Sequence, residues 1–144
     1  MERFKGKTVI VTGASSGIGR GVAERFSREG ANVVICARHE DRLQQVAAQL
    51  PHDRTLAQVA DVSKFAEVES LVAAAVKRFG GLDVIVNNAG IGTEGDALTV
   101  SLDDWNETIS INLSGVFHGV FFDSFRKVRD GAKRSPDRTE KKHV

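Results

Sequence analysis

The stretch TVIVTGASSGIG, residues 8–19, joins a continuous apolar run to three closely spaced glycines. The run is rich in β-branched residues, as in a strand that is buried on both faces of a parallel sheet. Gly13, Gly17 and Gly19 stand where a helix should begin, although glycine is a poor helix former. A helix N-terminus offers unpaired N–H groups and a positive dipole end, so a phosphate can bind there if the backbone is accessible. The stretch therefore predicts a phosphate-binding turn between a strand and a helix.

Each glycine has a separate part in this prediction. Gly13 permits the tight turn out of the strand, Gly17 lets a phosphate approach the backbone, and Gly19 lets the helix pack closely on the sheet. Ser15 and Ser16 add hydroxyl donors. The spacing is G-x-x-x-G-x-G and no Lys-Ser or Lys-Thr pair follows, which argues against an NTPase P-loop. The alternative is that the glycines only turn the chain.

Apolar runs and amphipathic stretches alternate along the rest of the chain. The predicted strands lie at 7–12, 31–37, 55–60 and 82–87. The predicted helices lie at 18–29, with Ile18, Val22 and Phe26 on one face, at 41–50, at 63–79, and from a capping box at Ser101 onward. Such alternation implies right-handed βαβ crossovers. We expect an α/β fold, a Rossmann-like doubly wound parallel sheet of about four strands in the order 3-2-1-4, which is incomplete because no further strand follows the fourth.

Composition and charge limit the class of protein. A chain of 144 residues with a net charge of +1 fits one domain and has no general attraction to nucleic acid or membranes. Its one cysteine, Cys36, lies in an apolar run, which excludes an internal disulfide framework and fits a reducing compartment. No apolar stretch is long enough to cross a bilayer, and the charged start MERFKGK lacks the core of a signal peptide. We therefore expect a cytoplasmic protein.

Residues 126–144 differ in composition from the rest of the chain. They contain eight Lys or Arg against three Asp or Glu, and almost no apolar side chains. Such a segment cannot bury enough apolar surface to offset the entropy of ordering. We expect a folded dinucleotide-binding domain at 1–125 and a charged, disordered tail at 126–144.

Four motifs, in order and on the expected elements, make the sequence resemble the short-chain dehydrogenase/reductase family. Thr12–Gly19 matches the family's T-G-x-x-x-G-x-G loop, and Asn87–Gly90 matches its N-N-A-G motif on the fourth strand. Asp61-Val62 matches the dipeptide that contacts adenine, and Asn112 matches the asparagine of the fourth helix. The likeness covers about residues 5–120.

The resemblance implies a dinucleotide cofactor. The residues expected to contact it are Gly13, Ser15, Ser16, Gly17, Ile18, Gly19, Arg38, Asp61, Val62, Asn88, Ala89 and Gly90. The second strand ends at Arg38, where folds that prefer NAD place an acid for the ribose 2′-hydroxyl. A guanidinium binds a 2′-phosphate bidentately, so Arg38 favours NADP, with NAD as the alternative. The nearby acids Glu40 and Asp41 are expected in the first turn of the second helix, where they suit the dipole.

The resemblance also implies hydride transfer between a nicotinamide and a carbonyl or alcohol carbon. Family members use a tyrosine with a lysine four residues on, a serine, and an asparagine in a proton relay. Only Asn112 has a counterpart, because the chain contains no tyrosine and the strand that would carry the serine is missing. The four histidines show no metal-ligand spacing, so no metal site is expected. We expect an oxidoreductase chain that is truncated or frame-shifted after about residue 120 and is catalytically incomplete.

Three alternatives stay open. The first is a non-catalytic NADP-binding module that forms a homodimer, or a heterodimer with a full-length relative, through the fourth helix, where Phe117, Phe121, Phe122 and Phe125 lose cover. The second is a short enzyme whose catalytic residues are unfamiliar or come from a partner chain. The third is a different ligand on the same fold, because a fold alone does not fix a function.

Overall fold

The apolar run before the glycines forms the central strand of a four-stranded parallel sheet in the computed structural model, which describes residues 2–93, 95–96 and 98–129. The strands are β1 (Thr8–Thr12), β2 (Asn32–Ala37), β3 (Thr55–Val59) and β4 (Val84–Val86). The helices are α1 (Gly17–Arg28), α2 (Glu40–Ala47), α3 (Phe65–Phe79), α4 (Leu102–Ile109) and α5 (Gly115–Arg129). A 3-10 turn at His52–Arg54 precedes β3, and a π-helical turn at Ser110–Ser114 joins α4 to α5.

The strands lie in the order β3-β2-β1-β4, and each neighbouring pair is parallel. In this register Ile10 of β1 lies between Val34 of β2 and Ile85 of β4. The predicted order 3-2-1-4 and the Rossmann-like α/β class are confirmed. Because the strands are parallel, their carboxyl ends meet at one edge of the sheet, and the loops that follow them gather there.

Both faces of the sheet are covered, which explains why the central strands are apolar at consecutive positions. Every residue of β1 is at most 4 % exposed. Val9 packs in one cluster with Ala23 of α1 and Leu43 of α2, and Ile10 packs in a second cluster with Leu71 of α3. Successive side chains of a strand point to opposite faces, so a strand between two helical layers needs no polar position.

The predicted bounds of the strands and of the first three helices differ from the observed ones by at most three residues. Helix α2 ends at Ala47 rather than at residue 50, and β4 keeps the three central residues of the predicted 82–87. The apolar face predicted for α1 is wrong at Ile18, whose side chain is 79 % exposed, whereas Val22 and Phe26 pack against the core. Ile18 lies in the first turn of α1, at the open carboxyl edge of the sheet.

The long fourth helix predicted from the sequence consists of α4, the π-helical turn and α5 in succession. The N-cap half of its predicted capping box is present, since Ser101 Oγ accepts a hydrogen bond from the Asp104 N–H at 3.0 Å, while the Asp104 carboxylate accepts from the Ser101 hydroxyl at 2.6 Å. Four apolar residues of this helical segment are more than half exposed: Trp105, Leu113, Phe117 and Val120. The described residues of the sheet and α3 cover only part of this helical segment.

Helix α5 makes its covered contacts with α3 and with the loop after β3. A Cβ atom added at Gly115 would stand 2.7 Å from Val62 Cγ2, so α5 begins in close contact with that loop. The ring centroid of Phe65 in α3 lies 5.3 Å from that of Phe121 and 4.8 Å from that of Phe122. These aromatic contacts fix α5 beside α3.

Helix α5 continues to Arg129, four residues past the predicted end of the folded domain at 125. The remainder of the predicted tail, residues 130–144, lies outside the described residues, so its disorder stays a prediction. Within the described ranges, no helix combines the length and apolarity needed to cross a bilayer.

A nearly buried carboxylate ties the N-terminal segment to α1. Glu29, whose side chain is 7 % exposed, accepts two hydrogen bonds of 2.5 Å from the Arg3 guanidinium and one of 2.8 Å from Arg25 Nε. The bonds from Arg3 outweigh the opposing effect of burial and, with those from Arg25, lower the pKa of Glu29 from 4.5 to about 2. The ionised form is therefore the one that the fold stabilises.

We expect acid to destabilise the protein partly through Glu29. Because its pKa is lower in the folded than in the unfolded chain, its contribution is complete above a pH of about 4.5 and is lost as the pH falls toward 2. Thermal unfolding of the wild type and Glu29→Gln at pH values near 6 and near 3 measures this. The difference in Tm should shrink at the lower pH, and an unchanged difference would contradict the assignment.

Candidate functional site

An open cavity of about 240 Å³ lies at the carboxyl edge of the sheet. Eight of the residues predicted to contact a dinucleotide line it: Gly13, Ser15, Ser16, Arg38, Asp61, Val62, Ala89 and Gly90. They come from the loops that follow β1, β2, β3 and β4, so the parallel sheet brings together residues that are far apart in the sequence. This edge is the ordinary ligand position in open α/β sheets.

The glycine loop leaves the N-terminus of α1 accessible. Gly13 and Gly17 have φ values of +65° and +52°, a region that residues with a Cβ atom rarely adopt. A Cβ atom at Gly17 would meet nothing within 4 Å, so its backbone faces open space. Ser16 is the N-cap, and its side chain makes no capping hydrogen bond. The first-turn N–H groups of α1 are thus available to an anion.

A hydrogen-bonded clamp beneath this loop joins the ends of β1 and β4. Thr12 Oγ1 donates to Val86 O at 3.3 Å and accepts from the N–H groups of Asn88 and Ala89, each at 3.0 Å. Asn88 Nδ2 in turn donates to Thr12 O at 2.9 Å and to Gly13 O at 3.3 Å. Asn88, predicted as a cofactor contact, therefore holds the loop from below and is not among the residues that line the cavity.

Gly19 lies where α1 passes closest to this clamp. A Cβ atom added there would collide with Gly13 O and Asn88 Nδ2. Gly19 therefore permits the close approach of helix and strand that its place in the motif predicts. Gly17, Ile18 and Gly19 do not line the cavity in the described structure.

Arg38 directly follows β2 and lines the cavity with an exposed side chain. Its Nη1 lies 3.2 Å from Glu107 Oε1 of α4. The acids Glu40 and Asp41 lie in the first turn of α2, where the sequence predicts them. The Arg38–Glu107 contact joins side chains 69 positions apart, so no local sequence pattern predicts it.

Asp61 is held in one orientation after β3. Its Oδ1 accepts hydrogen bonds from the Ser63 N–H at 2.9 Å and the Ser63 hydroxyl at 2.7 Å, and its own N–H donates to Glu67 Oε2 at 2.7 Å. Burial pulls the pKa of Asp61 upward, but the Ser63 bonds and the positive charges of Lys64 and Arg38 hold it below its usual value. The carboxylate is therefore ionised at the wall of the cavity.

Asn112, the predicted catalytic residue, lies on the π-helical turn and is exposed. Its Oδ1 accepts from the Ile91 N–H at 2.9 Å, and its Nδ2 donates to Ile91 O at 2.8 Å. The amide side chain thus pairs with the backbone of the loop after β4 and fixes that loop against the helical segment.

The described residues do not assemble a metal centre. No group of three or more His, Cys, Asp or Glu side chains with metal-binding geometry occurs among them. His118 Nδ1 lies 2.8 Å from Val62 O and its ring packs edge-on against Phe65, which is a structural environment. Burial raises the pKa of the Cys36 thiol to about 12, so this cysteine is inert rather than nucleophilic.

Six further residues line the cavity and were not singled out from the sequence as cofactor contacts: Ala37, His39, Arg42, Ala60, Ile91 and Ile111. Most of them are neighbours in sequence of the predicted contacts, so their positions next to the strand ends could have been used to predict that they line the cavity. Arg42 lies in α2, one helical turn after Arg38, and adds a second cation to the same wall.

The chain is similar to a known protein family over most of its length. The sequence profile of the family described as short chain dehydrogenase matches residues 7–124. Glucose 1-dehydrogenase of Gluconobacter oxydans is 42 % identical over 119 residues, which cover 80 % of this chain and 44 % of that protein. Meso-2,3-butanediol dehydrogenase of Serratia marcescens is 40 % identical over 114 residues, which cover 79 % of this chain and 45 % of that protein.

A solved structure extends the likeness to three dimensions. The 3-ketoacyl-(acyl-carrier-protein) reductase from Brucella melitensis, complexed with NADH, superimposes with a TM-score of 0.84 at 38 % sequence identity, covering 90 % of this chain and 53 % of that one. The chain spans about half the length of the curated relatives it matches. Since the family profile extends over most of its residues, the chain belongs to the short-chain dehydrogenase family.

Proposed function

We propose that this chain is the NADP(H)-binding part of a short-chain dehydrogenase and that, on its own, it binds the cofactor without completing the reaction. The observation that supports this most is the convergence of the glycine loop, Arg38 and Asp61-Val62 on one cavity at the carboxyl edge of the sheet. The chain's family membership supports a nicotinamide dinucleotide as the ligand.

The residues present fit such a group. The open backbone at Gly17 and the uncapped first turn of α1 suit the pyrophosphate, with Ser15 and Ser16 beside them. We place the adenine against Asp61 and Val62, because these two residues lie in the loop after β3 and line the same cavity. The bound dinucleotide supplies hydride chemistry, and the chain's own residues bind and orient it.

Arg38 supports the phosphorylated cofactor over NAD. It is exposed at the cavity wall, Arg42 and His39 line the same wall, and the acids of α2 do not line the cavity. A guanidinium forms two charge-assisted hydrogen bonds with a phosphate, whereas a ribose 2′-hydroxyl gains less from it. NAD(H) is the second choice, and the Brucella reductase was solved with NADH.

We infer that the chain does not catalyse the reaction on its own, because it lacks a group that the reaction requires. Reduction of a carbonyl requires a proton donor positioned at the carbonyl oxygen. The chain has no tyrosine, and the side-chain amide of Asn112 makes two hydrogen bonds with the Ile91 backbone. In this proposal Asn112 contributes to catalysis only together with residues that this chain does not hold. A cytoplasmic location belongs to the same proposal and is supported by the single, buried cysteine.

The close contact at Gly19 predicts a strong effect of one methyl group. Gly19→Ala forces the new Cβ against Gly13 O and Asn88 Nδ2, so we expect a loss of about 1–3 kcal/mol in the free energy of unfolding and weaker NADPH binding. The control is Gly21→Ala in the same helix, where a Cβ meets nothing within 4 Å. This control should stabilise by about 0.5–1 kcal/mol and leave binding unchanged. Denaturant unfolding and NADPH titration measure both, and equal effects of the two variants would contradict the clamp.

The cofactor assignment predicts a charge-dependent preference. Titration with NADPH, followed by nicotinamide fluorescence and by Tm, should show saturable binding to the wild type. Arg38→Asp should weaken NADPH binding by about tenfold or more, because it removes charge-assisted hydrogen bonds and adds repulsion, and should not weaken NADH binding, because an acid at this position suits the ribose 2′-hydroxyl. Equal losses for both dinucleotides would show that Arg38 does not contact a 2′-phosphate.

A second candidate function is a dimerising regulator of a full-length relative. The exposed apolar residues Leu113, Phe117 and Val120 on the π-helical turn and α5 favour it, because such a surface is costly in water unless it is covered. Mixing this chain with a full-length family member should then lower that enzyme's activity, and Phe117→Asp should restore it. Unchanged activity, with no mixed dimer in size-exclusion chromatography, would contradict the regulator function and would not affect the proposed cofactor binding.

A further inference from the structure

An ion pair at the cavity wall joins Arg38 to Glu107, a residue that the proposed binding of the dinucleotide does not use. Arg38 Nη1 lies 3.2 Å from Glu107 Oε1, which links the end of β2 to α4. The two side chains are 45 % and 53 % exposed, so both reach solvent and neither is locked in a buried network. An exposed pair of this kind contributes little to folding, and its carboxylate is free to affect whatever else approaches the guanidinium.

The charges around Arg38 are of both signs. Arg42 lines the cavity on the side of α2, and its positive charge favours an anion. Asp61 on the loop after β3 and Glu107 on α4 oppose it. Asp61 is engaged by Ser63, so Glu107 is the acid that directly contacts the guanidinium.

We propose that Glu107 is a specificity-determining residue that reduces the site's preference for a 2′-phosphorylated dinucleotide by engaging Arg38. This inference rests on the proposed function, because it assumes that Arg38 meets the ribose of a bound dinucleotide. Glu107 acts through Arg38, so it is a positioning residue rather than a catalytic one.

The Glu107 carboxylate affects the binding of NADPH and of NADH differently. A 2′-phosphate must share or displace the carboxylate at Arg38, and its charge is repelled by Glu107 at short range. An unphosphorylated ribose carries no charge, so the ion pair persists when NADH binds. The carboxylate therefore weakens the binding of NADPH and leaves the binding of NADH almost unchanged. As a result, the NADPH and NADH affinities differ less than they would with Arg38 and no Glu107.

The test is titration of the wild type, Glu107→Gln and Asp103→Asn with NADPH and NADH at low ionic strength. Glu107→Gln keeps the shape of the side chain and removes its charge. Asp103→Asn makes the same charge change one helical turn away on α4, so it measures the effect of net charge alone. Adenosine 2′,5′-bisphosphate and adenosine 5′-phosphate serve as further probes, since they present the same contrast without the nicotinamide.

We expect Glu107→Gln to tighten NADPH and the bisphosphate by about three- to tenfold and to change NADH and adenosine 5′-phosphate by less than about twofold. The gain should fall as salt is added, because screening weakens the removed repulsion. Asp103→Asn should change the ratio of the two affinities by less than about twofold. A purely structural effect of Glu107 would move all four ligands together and would overturn the inference.

Weaker NADPH binding by Glu107→Gln would also overturn it, and would mean that the carboxylate instead holds Arg38 ready for the phosphate. If the wild type binds both dinucleotides and the ratio is the same in Glu107→Gln, the inference fails while the proposed function stands. If neither dinucleotide binds any of the three proteins, the proposed function itself fails, and the inference with it.

Discussion

The Thr12 hydroxyl is the contact on which the rest of the site depends. One oxygen accepts from two consecutive backbone amides of the loop after β4 and donates to a carbonyl of β4, while the Asn88 amide returns hydrogen bonds to the end of β1. These bonds lie in a region that is largely removed from solvent, where unpaired polar groups are costly. They hold two loops in contact, Gly19 fits against them, and the turn above them keeps the helix N-terminus open. The cavity is a consequence of this clamp.

Much of this arrangement could be predicted from the sequence. The consecutive apolar residues of β1 and β2 predict a strand covered on both faces, and the glycine spacing predicts the open turn, because both depend on local chemistry. The strand order follows from the motifs and from the handedness of crossovers. Ile18 shows the limit of periodicity, since a residue in the first turn of a helix can extend beyond the layer that covers the rest. The Arg38–Glu107 pair and the Asn112–Ile91 contact depend on three-dimensional placement, and no local pattern encodes either one.

In the proposed function, the residues that bind the dinucleotide are distinct from the groups that would react with a substrate. The described part of the chain places an open helix N-terminus, the ionised carboxylate of Asp61 and the cation of Arg38 around one cavity, and the proposed function assigns all three to the dinucleotide rather than to a substrate. Asn112 lies at the boundary between these two roles. Its amide is committed to the Ile91 backbone, which makes the loop after β4 and the π-helical turn one unit. Any group that reacts with a substrate must be placed relative to that unit.

The parallel register has a consequence for the order in which the chain gains its ligand site during folding. The clamp joins Thr12 to residues 76 and 77 positions later, so the glycine turn cannot reach its final geometry until β4 has been synthesised and has paired with β1. Contacts of such long sequence separation form late, because the entropy of closing the intervening loop opposes them. A nascent chain that carries only the first two strands has the whole glycine sequence but lacks its support. Under the proposed function, affinity for the dinucleotide is thus acquired late, when β4 docks against β1.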